Sequence, residues 1–251
     1  MSTRGHGGRG GSAGGSKGRE AKQRSFAFPN GWGGRRKGSG RKPKGERAGV
    51  PHDVRAPLAS RFPVQVTMRV KAGLPSLRGL REYAALRGAI RAGCERGGFR
   101  LVHYSVQSNH LHLIVEGGCR SMLSRGVQGL TIRMARALNR LWRRAGSVFA
   151  DRYHDRILRS PSEVWNALRY VLCNARKHGA WNSRTRPDPC SSGGWFDGWN
   201  EMEPEEVVPP PTARARTWLL GEGWRRFGMI SIGAAPVRAR AAVQPSGRRR
   251  T

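Results

Sequence analysis

An α+β fold, with an antiparallel sheet covered by helices, is what the order of hydrophobic periods predicts. Three observations carry it. Apolar and polar residues alternate over residues 63–70, 99–107 and 110–116, the period of half-buried strands. The second and third of these are separated only by Ser108-Asn109, a hairpin connection that makes them antiparallel neighbours. Between and after the strands, apolar residues recur three and four positions apart, the period of amphipathic helices.

Taken in order, residues 1–60 carry 15 of the chain's 35 glycines and a net charge of +11. That composition buries too little apolar surface to offset chain entropy, and it predicts a disordered basic arm. The folded part begins near Arg61 with the strand PVQVTMRV. A helix is expected over 77–94, with Leu80, Tyr83, Leu86, Ile90 and Cys94 on its inner stripe. The hairpin follows, with Val102, Tyr104 and Val106 joining Leu111, Leu113 and Val115 on one face. His103, Ser105 and Gln107 are then left beside His110 and His112 on the other. A long helix has Leu123, Val127, Leu130, Met134, Leu138 and Leu141 on one stripe. Residues 148–158 read as extended, and a last helix runs from a Ser162 cap to about Lys177. Strand, helix, hairpin, helix, strand, helix is close to the ferredoxin-like order. Residues 182–232 read as an irregular wrap plus a short helix over 212–228, and 233–251 as a second basic tail.

Charge narrows the function classes. The chain of 251 residues has 47 Lys and Arg against 16 Asp and Glu, a net charge of +31. Residues 61–180 alone carry +16, so the excess lies in the patterned core as well as in the tails and points to a polyanion, nucleic acid above all. No apolar run reaches the roughly 18 residues of a membrane span, and the N-terminus has no secretory signal. Cys94, Cys119, Cys173 and Cys190 form no CxxC pair and read as free thiols of a reducing compartment. A cytoplasmic, nucleoid-associated protein with no membrane partner is expected. The chain has no Walker A or dinucleotide fingerprint.

Two constellations carry chemistry. His110 and His112 are two apart in a strand, so both imidazoles project from one face. Neighbouring neutral imidazoles suit a divalent metal, although surface strands also carry two histidines without any ligand. Asn166, Tyr170, Asn174 and His178 recur every four residues and form a polar line on the last helix. A tyrosine can attack phosphorus once its phenol loses a proton; most helical tyrosines only pack and hydrogen-bond. Tyr153, in DRYHDR, is a second candidate nucleophile in a basic, extended setting. Arg136, Arg140, Arg152, Arg156 and Arg159 are candidates for phosphate contact. Trp142, Phe149 and Trp165 suit either base stacking or the core.

SNHLHLIVE resembles the His-hydrophobic-His signature of the HUH single-strand nucleases. RYVLCNARKHGAW resembles the catalytic helix of the REP-associated tyrosine transposases, single-tyrosine members of the insertion-sequence transposase superfamily. The resemblance spans roughly residues 61–181 and implies an HUH nuclease core with His110, His112 and Asn174 as metal ligands and Tyr170 as nucleophile. It further implies Mg²⁺ or Mn²⁺, single-stranded hairpin-forming DNA as partner, a 5′-phosphotyrosine intermediate, no ATP, and a monomer or homodimer acting in transposition. Ser108 stands where the family often has Pro, and Ala175-Arg176 where it often has Pro-Val. The alternative is a non-catalytic DNA or RNA hairpin-binding protein built on such a domain.

Overall fold

The computed structural model describes residues 55–204 and 208–234. The arm and tail expected over 1–60 and 233–251 therefore lie, apart from 55–60 and 233–234, outside the described residues. The predicted α+β fold is present. Strands β1 (Val64–Arg69), β2 (Glu95–Arg96), β3 (Phe99–Val106), β4 (His110–Gly117) and β5 (His154–Ile157) form one antiparallel sheet in the order β2-β3-β4-β1-β5. Without the two-residue β2, the four remaining strands alternate with helices α1 (Leu80–Arg91) and α2 (Arg120–Leu141) in the ferredoxin-like connectivity.

Alternation distributes the core between two faces. Val64, Val66, Met68, Tyr104, Val106, Leu111, Leu113 and Val115 point to α1 and α2, where the predicted α2 stripe from Leu123 to Leu138 is fully buried. The expected helix over 77–94 is shorter than its periodicity suggested. Leu77 is buried ahead of it, while Leu80, assigned to the inner stripe, opens the helix and is 92% exposed. The first turn follows an extended Gly79, so the stripe is established only from Tyr83 onward. Trp142 and Phe149 pack against this face as core residues, and the Trp142 indole donates to Glu82 at 3.1 Å.

The other face differs from the expectation. A bulge between Leu101 and His103 shifts the β3 register by one residue. Val102 is thereby moved off the face of Tyr104 and Val106 and joins Ile114 in a second apolar cluster. This cluster is closed by α3 (Pro161–Leu172) and the C-terminal wrap, through Val164, Leu168, Val171, Phe196, Trp199 and Trp224. The end of this face nearest His110 is polar, and at the far end of β4 the buried Glu116 is the charged exception.

Helix α3 is capped by Ser160, whose hydroxyl accepts from the Glu163 amide at 3.3 Å, with Pro161 at the first helical position. The cap is two residues earlier than the Ser162 expected, because Ser162 lies inside the first turn. The helix also ends earlier. It stops at Leu172, and after Cys173 a separate short helix α4 (Asn174–Lys177) begins. The wrap then closes the free edge of β3. Cys190 accepts from the Val106 amide at 2.8 Å, and Ser192 and Ala213 donate to Tyr104 and Leu101. The short C-terminal helix α5 (Trp218–Gly221) runs into a 3-10 turn, Gly223–Phe227. All four cysteines are free, with Cys173 and Cys190 buried.

Candidate active site

On β4 the period of two turns His110, His112 and Ile114 toward α3. On β1 the same period turns Gln65, Thr67 and Arg69 to that side, with Thr67 opposite His112 and Arg69 opposite His110. The imidazoles of His110 and His112 lie edge to face, their centroids 4.8 Å apart. Each Nδ1 is engaged: that of His112 with the Thr67 hydroxyl at 3.0 Å, that of His110 with the Asn109 side-chain oxygen at 2.8 Å. A Nδ1–H donated to such an oxygen leaves the lone pair on Nε2, the tautomer a metal requires. Burial lowers the pKa of His110 to about 4 and that of His112 to about 3, assisted by neighbouring imidazoles, Lys177 and Arg69. Both rings are therefore neutral at pH 7.

From α3 the Tyr170 ring approaches the His112 ring edge-on at 5.0 Å. Its phenol is half-buried, and burial raises its pKa; the positive charge of Arg69 works in the opposite direction. A cleft of about 290 Å³ opens beside it, walled by Gln65, Thr67, His154, Arg156, Tyr170 and Lys177. The Lys177 ammonium stands 5.8 Å from the Tyr170 ring centre, and the His178 ring 5.5 Å from that of His110.

Asn174 is fully buried, and neither atom of its amide has a hydrogen-bond partner. The same is true of Nε2 of His112. Buried polar atoms are nearly always paired. Oε1 of Gln107 and Nε of Arg169 share this lack, but the free lone pairs that the metal reading needs are those of the His112 nitrogen and the Asn174 oxygen. Neutral imidazole nitrogen and amide oxygen together suit a divalent cation, and His110, His112 and Asn174 would hold it. Among the described residues no three His, Cys, Asp or Glu side chains gather to hold a metal.

The remaining candidates separate. Asn166 bonds its own helix at the Ser162 carbonyl, 2.8 Å away, and takes no part in the site. Tyr153 packs on the α2 side of the sheet, with the Arg55 guanidinium 3.5 Å above its ring and the Ser124 hydroxyl at 3.2 Å. Arg156 reaches the Tyr170 cleft and pairs with Glu163 at 2.8 Å. Arg152 and Arg159 are exposed on either side of β5, whereas Arg136 and Arg140 are exposed on α2, across the sheet from Tyr170. His103, expected beside the other histidines, instead stands edge-on to Phe196 at 5.3 Å inside the wrap. Glu116, on the histidine face, is fully buried. It accepts from Arg100, from the Thr217 hydroxyl and from the backbone amides of Arg216 and Thr217, and so anchors the wrap to the sheet.

Sequence reading missed Thr67, Arg69 and Lys177 as neighbours of the site, whereas it had placed His178 on the polar line of Tyr170. The alternation of β1 already placed Thr67 and Arg69 on its polar face; what was lacking was that β1 pairs with β4.

The ferredoxin-like sheet thus sets paired imidazoles against a tyrosine on the covering helix. Residues 64–171 match the family model described as IS200-like transposase. Over these residues the chain is similar to that family. No curated protein matches the chain. It is similar to a solved structure of a REP-associated tyrosine transposase bound to a REP hairpin. The two share 17% sequence identity at a TM-score of 0.48, over 57% of this chain and 82% of that one. Among the described residues no helix is long and apolar enough to cross a membrane.

Proposed function

We propose that the protein is a metal-dependent single-strand DNA endonuclease and strand transferase acting in transposition, with Tyr170 as nucleophile. The observation that carries the reading is the approach of the Tyr170 ring, from α3, to within 5.0 Å of the His112 ring on β4. It joins the only two sequence motifs with chemical content, 58 positions apart in the chain, at one place. Hairpin-forming single-stranded DNA is the substrate that the motif resemblance implies, and REP-type hairpins are the first to test.

In the reaction the Tyr170 phenol loses its proton to solvent, and the phenolate oxygen attacks the scissile phosphorus. A tyrosyl O–P bond forms, the P–O3′ bond breaks, and the departing 3′-oxygen takes up a proton. A 5′-phosphotyrosine remains, which an incoming 3′-hydroxyl reverses to join strands. The phosphodiester energy is kept in the tyrosyl bond, so no nucleotide is consumed. Arg69, Arg156 and Lys177 supply positive charge near the position the phosphate would take, where charge develops in the transition state. A divalent ion held by His110, His112 and Asn174, Mg²⁺ or Mn²⁺, would supply Lewis acidity toward a phosphate oxygen.

The test is a denaturing gel with hairpin DNA labelled 3′ of the cut, in Mn²⁺. Wild type yields a slow, protease-sensitive band. Tyr170→Phe and His112→Ala abolish it while both still bind the hairpin. Cleavage without an attached band points to hydrolysis, and binding without cleavage in the wild type points to the non-catalytic hairpin-binding protein.

A further inference from the structure

We propose that the C-terminal segment, outside the family-matched residues, is a stacking platform for unpaired bases, formed by Trp218, Phe227 and Arg226. The segment is firmly held. Thr217 caps α5 and is bonded by its amide and hydroxyl to the buried Glu116 carboxylate, each at 2.8 Å. Trp224 is sealed in the core, its indole donating to the Leu220 carbonyl at 3.0 Å. On this rigid base the other two large rings point outward: Trp218 is 57% exposed and Phe227 50% exposed.

Exposed rings on a fixed support leave apolar area in water that a stacked partner would cover. The partner is defined by charge. The exposed Arg226 guanidinium lies 5.4 Å from the Trp218 ring centre, whereas neighbouring Arg225 is engaged by Asp197 at 2.6 Å. An exposed ring with a guanidinium over it, one that has no carboxylate partner among the described residues, suits a ligand that has both a π-surface and a negative backbone, as single-stranded nucleic acid does. Paired bases hide the same faces in their own stack. The platform adjoins the catalytic helix: Trp165 of α3, five positions before Tyr170, donates its indole N–H to the Gly228 carbonyl at 3.0 Å. A strand leaving the Tyr170 cleft thus has a base-binding surface anchored on the same helix.

This inference rests on the single-strand substrate of the proposed function, and the experiment keeps the two apart. Binding is measured in the uncleaving Tyr170→Phe background, with fluorescein-labelled oligo(dT) and with a blunt duplex of equal length. Trp218→Ala and Phe227→Ala are each expected to weaken oligo(dT) binding by roughly 5- to 100-fold. Duplex binding should change by less than about twofold, because a stacked duplex exposes no base face. Trp218→Phe keeps an aromatic face and should retain most of the affinity. Arg226→Ala should lower the salt slope by about 0.7. Circular dichroism and melting confirm folding; if Trp218→Ala fails to fold, Phe227→Ala and Trp218→Phe carry the test.

Unchanged oligo(dT) binding, or equal loss on duplex and single strand, overturns the platform. A change in sedimentation without a change in DNA binding overturns it in favour of a surface between copies of this chain. If hairpin adducts still form while oligo(dT) binding is unaltered, the platform alone falls. If the wild type binds neither oligo(dT) nor hairpin, the single-strand substrate falls with it.

Discussion

The two faces of the sheet are built on different principles. Toward α1 and α2, the central strands β1, β3 and β4 present rows of apolar residues, and α2 answers with a continuous stripe. Toward α3, the same strands change character along their length. Near His110 the face is polar, with Thr67, Arg69, His112 and Tyr170, while further along it is apolar and sealed by a wrap. One face is devoted to stability. The other combines an attachment surface with a site whose buried polar atoms lack protein partners. Unsatisfied groups lower stability, and a protein carries them where a ligand completes them. The bulge at Leu101/His103 marks the division, because it turns Val102 into the wrap's core.

Substitutions on each face sharpen this contrast. The largest effect is expected for Tyr170→Phe, which removes the oxygen proposed to attack. Adduct formation should fall by more than about a thousandfold, with the thermal midpoint within a degree or two of wild type. Leu130→Ala on α2 should behave in the opposite sense. It opens a cavity in the aliphatic face at a cost of about 2–5 kcal/mol, read from urea denaturation. A Tyr170→Phe protein that melts much earlier than wild type would show that the site face is a stability face as well.

Glu116→Gln comes next. It keeps the shape of the side chain but removes the charge that Arg100 and two backbone amides address. About 2–4 kcal/mol of stability should be lost, and the region of Arg216 and Thr217 should gain hydrogen exchange before the sheet does. Uniform exchange over the whole domain would mean that the wrap and sheet unfold as one unit.

Acid should weaken the site-bearing face. His103, His110 and His112 have pKa values lowered by burial to about 4, 4 and 3, against 6.5 for an exposed imidazole. Between these limits the unfolded chain binds more protons than the folded one, so folding stability is greatest above pH 6.5 and declines as pH falls toward 4. Melting in chelator at pH 7.5, 6 and 5 checks the sign. A rising midpoint on acidification would contradict the burial of these rings.

The smallest effect concerns phosphate contact. Arg136 and Arg140 lie across the sheet from Tyr170, whereas Arg156 lines its cleft. Arg156→Ala should lower the salt slope of single-strand binding by about 0.7 and slow cleavage. Arg136→Ala and Arg140→Ala should leave the cleavage of bound DNA unchanged.

Much of this was legible in the sequence because it depends on periodicity. Alternation alone put His110 and His112 on one face, and the α2 stripe was read correctly from Leu123 to Leu138. The four-residue spacing from Tyr170 to Asn174 also kept its meaning only in part, since the helix breaks at Cys173 and Asn174 opens a new one. The sequence by itself determined which residues share a face of each element, because side-chain direction follows from backbone repeat. Which faces meet was decided only by the tertiary structure. The β1–β4 register brings Thr67 and Arg69 to the histidines, the bulge sends Val102 into the wrap's core, and α3 delivers Tyr170 to His112. These pairings join residues far apart in the chain, and they are fixed by the packing of the whole core rather than by local preference.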